Sequence, residues 1–179
     1  IRRPPRSTQG VSSAASDVYK RQFQDRGILS EDCLRVMKAL WTNPCPRLET
    51  RYGVIDRDVN FGPRPIQHPH PPIWVGGNSM RALNRVARWG DGWQPVFLSP
   101  AEIEAKRETL ATLLEKYERP DAQISISTLV SSDVSADEAR QFRSAGVQEL
   151  FMLTTTDKPD ELFTQLRGFA ETCKSLDAG

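Results

Sequence analysis

Beyond residue 72 the apolar positions change period in a regular order. Ile73-Trp74-Val75 is a short buried-strand run, after which Leu83, Val86 and Ala87 recur at helical spacing over residues 80–89. Residues 93–97 return to an extended pattern. Ile103, Leu110, Leu113, Leu114 and Tyr117 then mark the inner face of a helix over 100–117. Residues 123–130, rich in Ile, Ser, Thr and Val, predict a strand, 136–144 a helix and 147–154 another strand. A last helix over 159–175 turns Leu162, Phe163, Leu166, Phe169 and Ala170 inward. Strict alternation of strand and helix with short links predicts an α/β fold with a parallel sheet of about four strands and helical crossovers. Two closures satisfy that order, an open doubly wound sheet or part of a (β/α)8 barrel. A full barrel takes about 250 residues, so this 179-residue chain supplies a small open sheet or half a barrel.

Punctuation residues agree with this division. Asn78 or Ser79 caps the helix over 80–89, and Gly90 ends it as expected of a C′ glycine. Ser99 caps the next helix with Pro100 at its first position. Ser135 caps the third, which Gly146 ends. Upstream, Ser30 followed by Glu31 and Asp32 predicts a helix start, and Leu34, Met37, Leu40 and Trp41 give an amphipathic helix over 31–41. Pro44 and Pro46 stop it. Residues 43–71 read as a long connection with extended pieces at 52–55 and 59–61, stiffened by Pro63, Pro65, Pro69 and Pro71. A connection of that length is usually functional.

Charge changes the picture at one end only. Residues 1–22 hold Arg2, Arg3, Arg6, Lys20 and Arg21 against Asp17, whereas the whole chain has a formal charge of +1, so the remainder is mildly acidic. Residues 1–22 have no helical or strand period and are rich in Ser, Pro and Arg, a composition that predicts disorder. The segment also resembles a translation of sequencing-adapter DNA, which implies that it is non-native and that Phe23 opens the genuine protein. A basic arm that binds nucleic acid is the competing reading. Cys33, Cys45 and Cys173 are odd in number and form no CxxC pair, so neither a disulfide framework nor a zinc knuckle is expected. No apolar run approaches the roughly 20 residues of a membrane span, and the start lacks a leader-like apolar core. The expectation is a reduced, cytoplasmic protein without a membrane or nucleic-acid partner.

Candidate chemistry concentrates at Gly76-Gly77-Asn78-Ser79, between a strand's C-terminal end and a helix N-terminus. Two glycines permit close approach of a ligand, and the N–H groups of residues 77–79 would face an anion along the helix dipole. The Ser79 hydroxyl and the Asn78 amide would add hydrogen bonds. An ordinary capped βα turn explains the same residues, and spacing alone leaves both readings open. The pattern is not G-x-G-x-x-G, so a Rossmann site is not supported. Trp93 and Gln94 border either this pocket or the core. His68 and His70 flank Pro69 without a third ligand nearby, so no metal site is expected. Asp91, between two glycines, reads as a turn residue, and Glu102, Glu104, Lys106, Arg107 and Glu108 as a solvated helix face. Trp41, Trp74 and Trp89 fit core or helix packing.

Arg26-Gly27, Leu40-Trp41-Thr42, Pro65-Ile66-Gln67 and the run from Pro69 through Ser79 recur in this order in one family, as do Ala82-Leu83 and Ala87-Arg88-Trp89-Gly90-Asp91-Gly92-Trp93. Residues 23–175 thus resemble the bacterial luciferase-like monooxygenase superfamily, most specifically over 65–95. Ala145-Gly146-Val147-Gln148-Glu149-Leu150 fits the branch that uses the deazaflavin coenzyme F-420. The resemblance implies the second half of a (β/α)8 barrel over 23–175, a short tail at 176–179 and an absent first half. It implies that loops at the C-terminal face hold a flavin or deazaflavin, with Gly76, Gly77, Asn78 and Ser79 on its phosphate. Arg26 matches either a phosphate-facing basic position or a solvated arginine, and Trp93 either the pocket or the core.

The resemblance also implies hydride transfer between reduced coenzyme F-420 and a small organic substrate. The alternative is an FMN-dependent monooxygenase served by a flavin reductase. It delivers no catalytic residue, because the coenzyme ring carries the chemistry and the groups lining it are expected on the early strands. A catalytically inactive half-barrel that binds phosphate weakly is the reading from another class. Two open sheet edges would drive it towards homodimers or poor solubility.

Overall fold

The computed structural model describes residues 25–51, 53–55 and 61–177. The proposed foreign segment 1–22 and most of the extended piece expected at 59–61 lie outside the described residues. The chain forms two compact units, Ile1–Pro71 and Pro72–Gly179.

The first unit contains helix α1 (Arg26–Thr42) and an antiparallel hairpin of β1 (Leu48–Thr50) and β2 (Gly53–Ile55). α1 starts five residues before the expected position. Asp25, not Ser30, holds its N-cap place. The Ser30 hydroxyl instead donates to the Arg26 carbonyl one turn back at 2.7 Å, a bond open to a serine inside a helix. Asp32 pairs with Arg35 at 3.2 Å and Arg51 at 3.5 Å, which links helix and hairpin. No residue of α1 is buried, because two three-residue strands are too small to cover its apolar face. β2 falls within the extended piece expected at 52–55, whereas its partner β1 was not expected. His70 is buried, its Nδ1 2.9 Å from the Pro71 carbonyl and its ring 6.1 Å from that of Trp41. It is a packed connector residue, and no group of three or more metal-binding side chains exists among the described residues.

The second unit is the α/β body. Its strands are β3 (Trp74–Gly76), β4 (Gly92–Gln94), β5 (Ser125–Ser131) and β6 (Glu149–Leu153), paired in sequence order and all parallel. Helices α2 (Met80–Trp89), α3 (Pro100–Lys116), α4 (Ala136–Ser144) and α5 (Pro159–Asp177) alternate with them. Register fixes the two faces. Val75 pairs with Trp93, Trp93 with Ile126, and Thr128 with Leu150, so these side chains share one side. All but Leu150 are buried, together with Leu83, Val86, Ile103, Leu110 and Phe142 from the helices. The opposite face carries Trp74, Gln94, Leu129, Phe151 and Leu153. There Trp74 is 41% and Phe151 46% exposed, so Trp74 is not the core residue expected. β3 and β6 are the sheet edges. A four-stranded parallel sheet with helices on one side and apolar side chains bare on the other is the geometry expected of part of a barrel.

Local chemistry sets the element ends. Ser79, Ser99 and Ser135 each accept an N–H three residues on, from Ala82, Glu102 and Glu138. β4 stops at Gln94 rather than running to 97, because Pro95 has no N–H for the ladder. Gly90 is not left-handed: its φ is −81°, and its N–H caps α2 by donating to the Val86 carbonyl at 2.8 Å. A Cβ there would sit 3.0 Å from that carbonyl oxygen, which is why the position is glycine. In α5, Phe163 and Leu166 are exposed, and Ala170 is as well. The narrow sheet edge at β6 leaves that side of the helix uncovered.

The N-terminal ends of the strands are tied by charge. The Arg119 guanidinium donates to the Ala87 carbonyl at 3.0 Å and the Gly90 carbonyl at 2.9 Å, closing the end of α2. It also lies 3.9 Å from Asp91. The Asp91 carboxylate accepts the Ile73 N–H at 2.9 Å, and its carbonyl accepts the Ser125 N–H at 3.0 Å. Asp91 thus links three strands and is more than a turn residue. Arg107, expected in solvent, reaches the Ala145 carbonyl at 2.9 Å and closes α4.

Candidate functional site

The turn between β3 and α2 is the candidate, and four tertiary hydrogen bonds fix it. The Gly77 N–H donates to the Gln94 carbonyl at 3.0 Å. The Gly77 carbonyl accepts from the Trp93 indole at 2.9 Å. The Asn78 amide acts as a miniature strand, donating to the Val96 carbonyl at 2.7 Å and accepting the Val96 N–H at 2.9 Å. Gly77 has φ +111°, a conformation that side chains rarely adopt, and a Cβ there would touch Ala82 at 3.4 Å.

This geometry corrects two expectations and decides a third that the sequence left open. The Gly77 N–H does not face a ligand, because Gln94 already takes it. The Asn78 side chain is committed to Val96. Trp93 is fully buried and lies in the core, where it supports the turn from beneath. What remains for a ligand is narrower than the sequence suggested. Among the described residues nothing accepts from the Asn78 or Ser79 N–H groups. The Ser79 hydroxyl oxygen accepts the Ala82 N–H at 3.2 Å, which leaves its own proton to donate. Gly76 adds open backbone, with no neighbour closer than 3.9 Å to an added Cβ. Arg26 opens α1 in the other unit and has a partner there or elsewhere in the chain.

The helix starts of the second unit differ in sign. α3 carries Glu102 in its first turn, α4 carries Asp137 and Glu138, and α5 carries Asp160 and Glu161. α2 carries no acid there and has Arg81 instead. Glu102 completes a capping box, its Oε2 accepting the Ser99 N–H at 2.8 Å and the Ser99 hydroxyl at 2.7 Å. Those bonds hold its carboxyl below the usual range, the backbone bond most, with Lys106 adding a smaller pull. Glu161 is lowered likewise by Lys158 and Thr156. Three helix dipoles are therefore already matched by their own carboxylates. The α2 start, with two unclaimed N–H groups, one hydroxyl and a cation, fits an oxygen anion such as a phosphate.

Two cavities flank this layer. One of about 270 Å³ lies at the C-terminal ends of β4 and β5, lined in part by Phe97, Ser99 and Val130. A larger one of about 500 Å³ opens at the other end of the sheet, beside Arg143, Gln148 and Cys173. Ligands of parallel α/β folds bind at the carboxyl ends of the strands, so position disfavours the larger cavity despite its size.

A parallel sheet flanked by helices, with its anion-ready turn at a strand's C-terminal end, defines a βα-repeat protein of the barrel class. The family model of the luciferase-like monooxygenases matches residues 8–174, and the chain belongs to that family. Among solved structures, an F-420-dependent secondary alcohol dehydrogenase in complex with an F-420–acetone adduct superposes with a TM-score of 0.59 at 11% identity, over 73% of this chain and 56% of that one. The likeness is one of fold. This chain spans a little over half the length of that neighbour. A coenzyme F-420-dependent tetrahydromethanopterin reductase from Methanopyrus kandleri aligns at 17% identity with a TM-score of 0.46, over 62% of this chain and 32% of that one. No curated protein matches significantly. No described helix is long and apolar enough to cross a membrane.

Proposed function

We propose that this chain contributes the phosphate-holding part of a luciferase-like oxidoreductase that transfers hydride between reduced coenzyme F-420 and a small organic substrate. The observation that carries the reading is the α2 start. It alone among the four helices of the second unit lacks a first-turn carboxylate, and its Asn78 and Ser79 N–H groups have no acceptor among the described residues. A cation at a helix N-terminus opposes the dipole, so Arg81 costs stability unless an anion sits between them.

The chain's own residues divide the work. The N–H groups of Asn78 and Ser79 and the Ser79 hydroxyl bind the phosphate, and Arg81 neutralises it. Gly77 permits the turn, while Trp93 and the Asn78 side chain hold it against β4. When bound, the coenzyme supplies the hydride chemistry through its ring. F-420 is favoured over FMN because the secondary alcohol dehydrogenase that shares this fold binds F-420; FMN is the alternative for a luciferase-like monooxygenase.

Equilibrium titration with F-420 and with FMN tests this, using wild type and Arg81→Glu. The expected result is saturable F-420 binding, weakened roughly tenfold by the substitution, and weaker FMN binding. Tighter FMN binding would move the assignment to the monooxygenase. Equal binding by wild type and Arg81→Glu would remove the turn from the site.

A further inference from the structure

The larger cavity, of about 500 Å³, plays no part in holding a phosphate at the α2 turn. Its position removes it from the proposed reacting face but not from ligand binding. The volume falls within the range of about 300–1,000 Å³ that holds whole small ligands. It lies between α4, β6 and α5. Ala139, Val147, Leu150 and Leu176 give it an apolar wall, with Arg143 and Gln148 beside them. Ala139 and Val147 are buried. None of the described residues that line it is an acid.

The polar groups of this lining are held in place without being used up. Arg143 Nη1 donates to the Leu176 carbonyl at 2.9 Å. That bond ties α4 to the end of α5 and takes one of the guanidinium's N–H donors. No described residue accepts from the others. Gln148 Oε1 accepts the Ile126 N–H at 2.6 Å, which fixes the carboxamide and leaves its NH2 to donate. A second guanidinium stands behind Gly146, another lining residue. A Cβ there would lie 2.6 Å from the Arg107 guanidinium carbon, so only glycine lets that charge come so close. The nearby acids are turned away or paired. Glu149, between Gln148 and Leu150, projects to the opposite face of the sheet. Asp137 of α4 is paired with Arg140. Glu171 comes two residues before Cys173 and so lies across α5 from it. Cations and an amide donor without an opposing carboxylate select an anion, and the apolar wall selects a hydrocarbon body attached to it.

We propose that this cavity is an accessory site for an amphiphilic organic acid. Its carboxylate sits on Arg143 and Gln148, and its hydrocarbon part packs against Val147, Leu150 and Leu176. The site is independent of the α2 turn. Its occupant joins α4, β6 and α5, so it adds to stability and takes no part in hydride transfer.

Methyl NMR of the full chain with sodium octanoate tests this, with 1-octanol as the control for charge and acetate as the control for the hydrocarbon chain. Octanoate is expected to shift the methyl groups of Val147, Leu150 and Leu176 saturably and to leave those of the exposed Leu166 unmoved. Octanol and acetate are each expected to bind at least roughly tenfold more weakly. Alkylation of Cys173 by iodoacetamide, read by peptide mass spectrometry, should slow with octanoate, while that of the exposed Cys33 should not. Gln148→Glu keeps an oxygen for the Ile126 N–H but places an acid at the carboxylate's position. It should weaken octanoate roughly tenfold and leave the remaining methyl spectrum unchanged, which separates lost binding from lost folding. Arg143→Gln is expected to weaken octanoate similarly. Octanol or acetate binding as tightly as octanoate, shifts that appear equally at Leu166, or affinity unchanged in both variants would overturn the proposal.

Discussion

The two ends of the parallel sheet are built on opposite electrostatic plans. At the N-terminal ends, arginines close the helices that finish there. Arg119 takes the last carbonyls of α2, and Arg107 that of α4. Asp91 joins the strands beneath them. Arg107, Arg119 and Asp91 all have partners inside the chain. At the C-terminal ends, where helices begin, three starts are matched by acids and one is left with an arginine and unclaimed N–H groups. The first end is closed from within the chain, and the second is where we propose that an anion completes the structure. That asymmetry separates a stabilising end from the proposed binding end without appeal to cavity size, which points the other way.

Substitutions that break the contrast should separate stability from binding. The largest effect on folding is expected from Arg119→Ala, which leaves two part-buried helix carbonyls without a donor. Urea unfolding should show a loss of about 2–3 kcal/mol, with phosphate affinity unchanged in the folded fraction. Asn78→Ala removes both bonds to Val96 and should cost about 1–3 kcal/mol. Unlike the arginine change, it should also loosen phosphate binding, read by titration calorimetry. Arg81→Glu makes the α2 start resemble its three neighbours. It should raise stability by about 0.3–1 kcal/mol while weakening phosphate, a gain in one readout and a loss in the other.

The smallest effect is expected at acid pH. Glu102 has its folded pKa below the ordinary 4.5, so its cap contributes fully above that value and is lost as pH falls through the folded pKa. Unfolding measured from about pH 5 down to pH 3 should show wild type losing stability faster than Glu102→Gln. Gln keeps a capping side chain but has no proton to gain. Equal slopes would contradict the assignment of the capping box as the titrating contact.

Most of the second unit was legible in the sequence because its signals are local. Ser79, Ser99 and Ser135 act on N–H groups three residues away, and the alternating apolar periods fix strand and helix order. Ser30 misled for the same reason. Its two following acids imitate a first turn, while the helix had already begun at Arg26. The turn proposed as the site was legible as a βα turn, but its hydrogen bonds were not. Gly77, Asn78 and Trp93 are committed to partners 16 to 18 residues distant in the chain, and Arg119 to carbonyls 29 and 32 residues away. Those contacts appear only once β3 and β4 lie side by side.

The central claim is that the start of α2 is left open for an anion. Amide chemical-shift mapping with inorganic phosphate tests it most directly. The account predicts saturable shifts at the Asn78 and Ser79 N–H groups and none at Gly77, whose proton Gln94 holds. It predicts none at the acid-matched starts of α3, α4 and α5. Shifts spread equally over all four helix starts, or centred on Gly77, would contradict it.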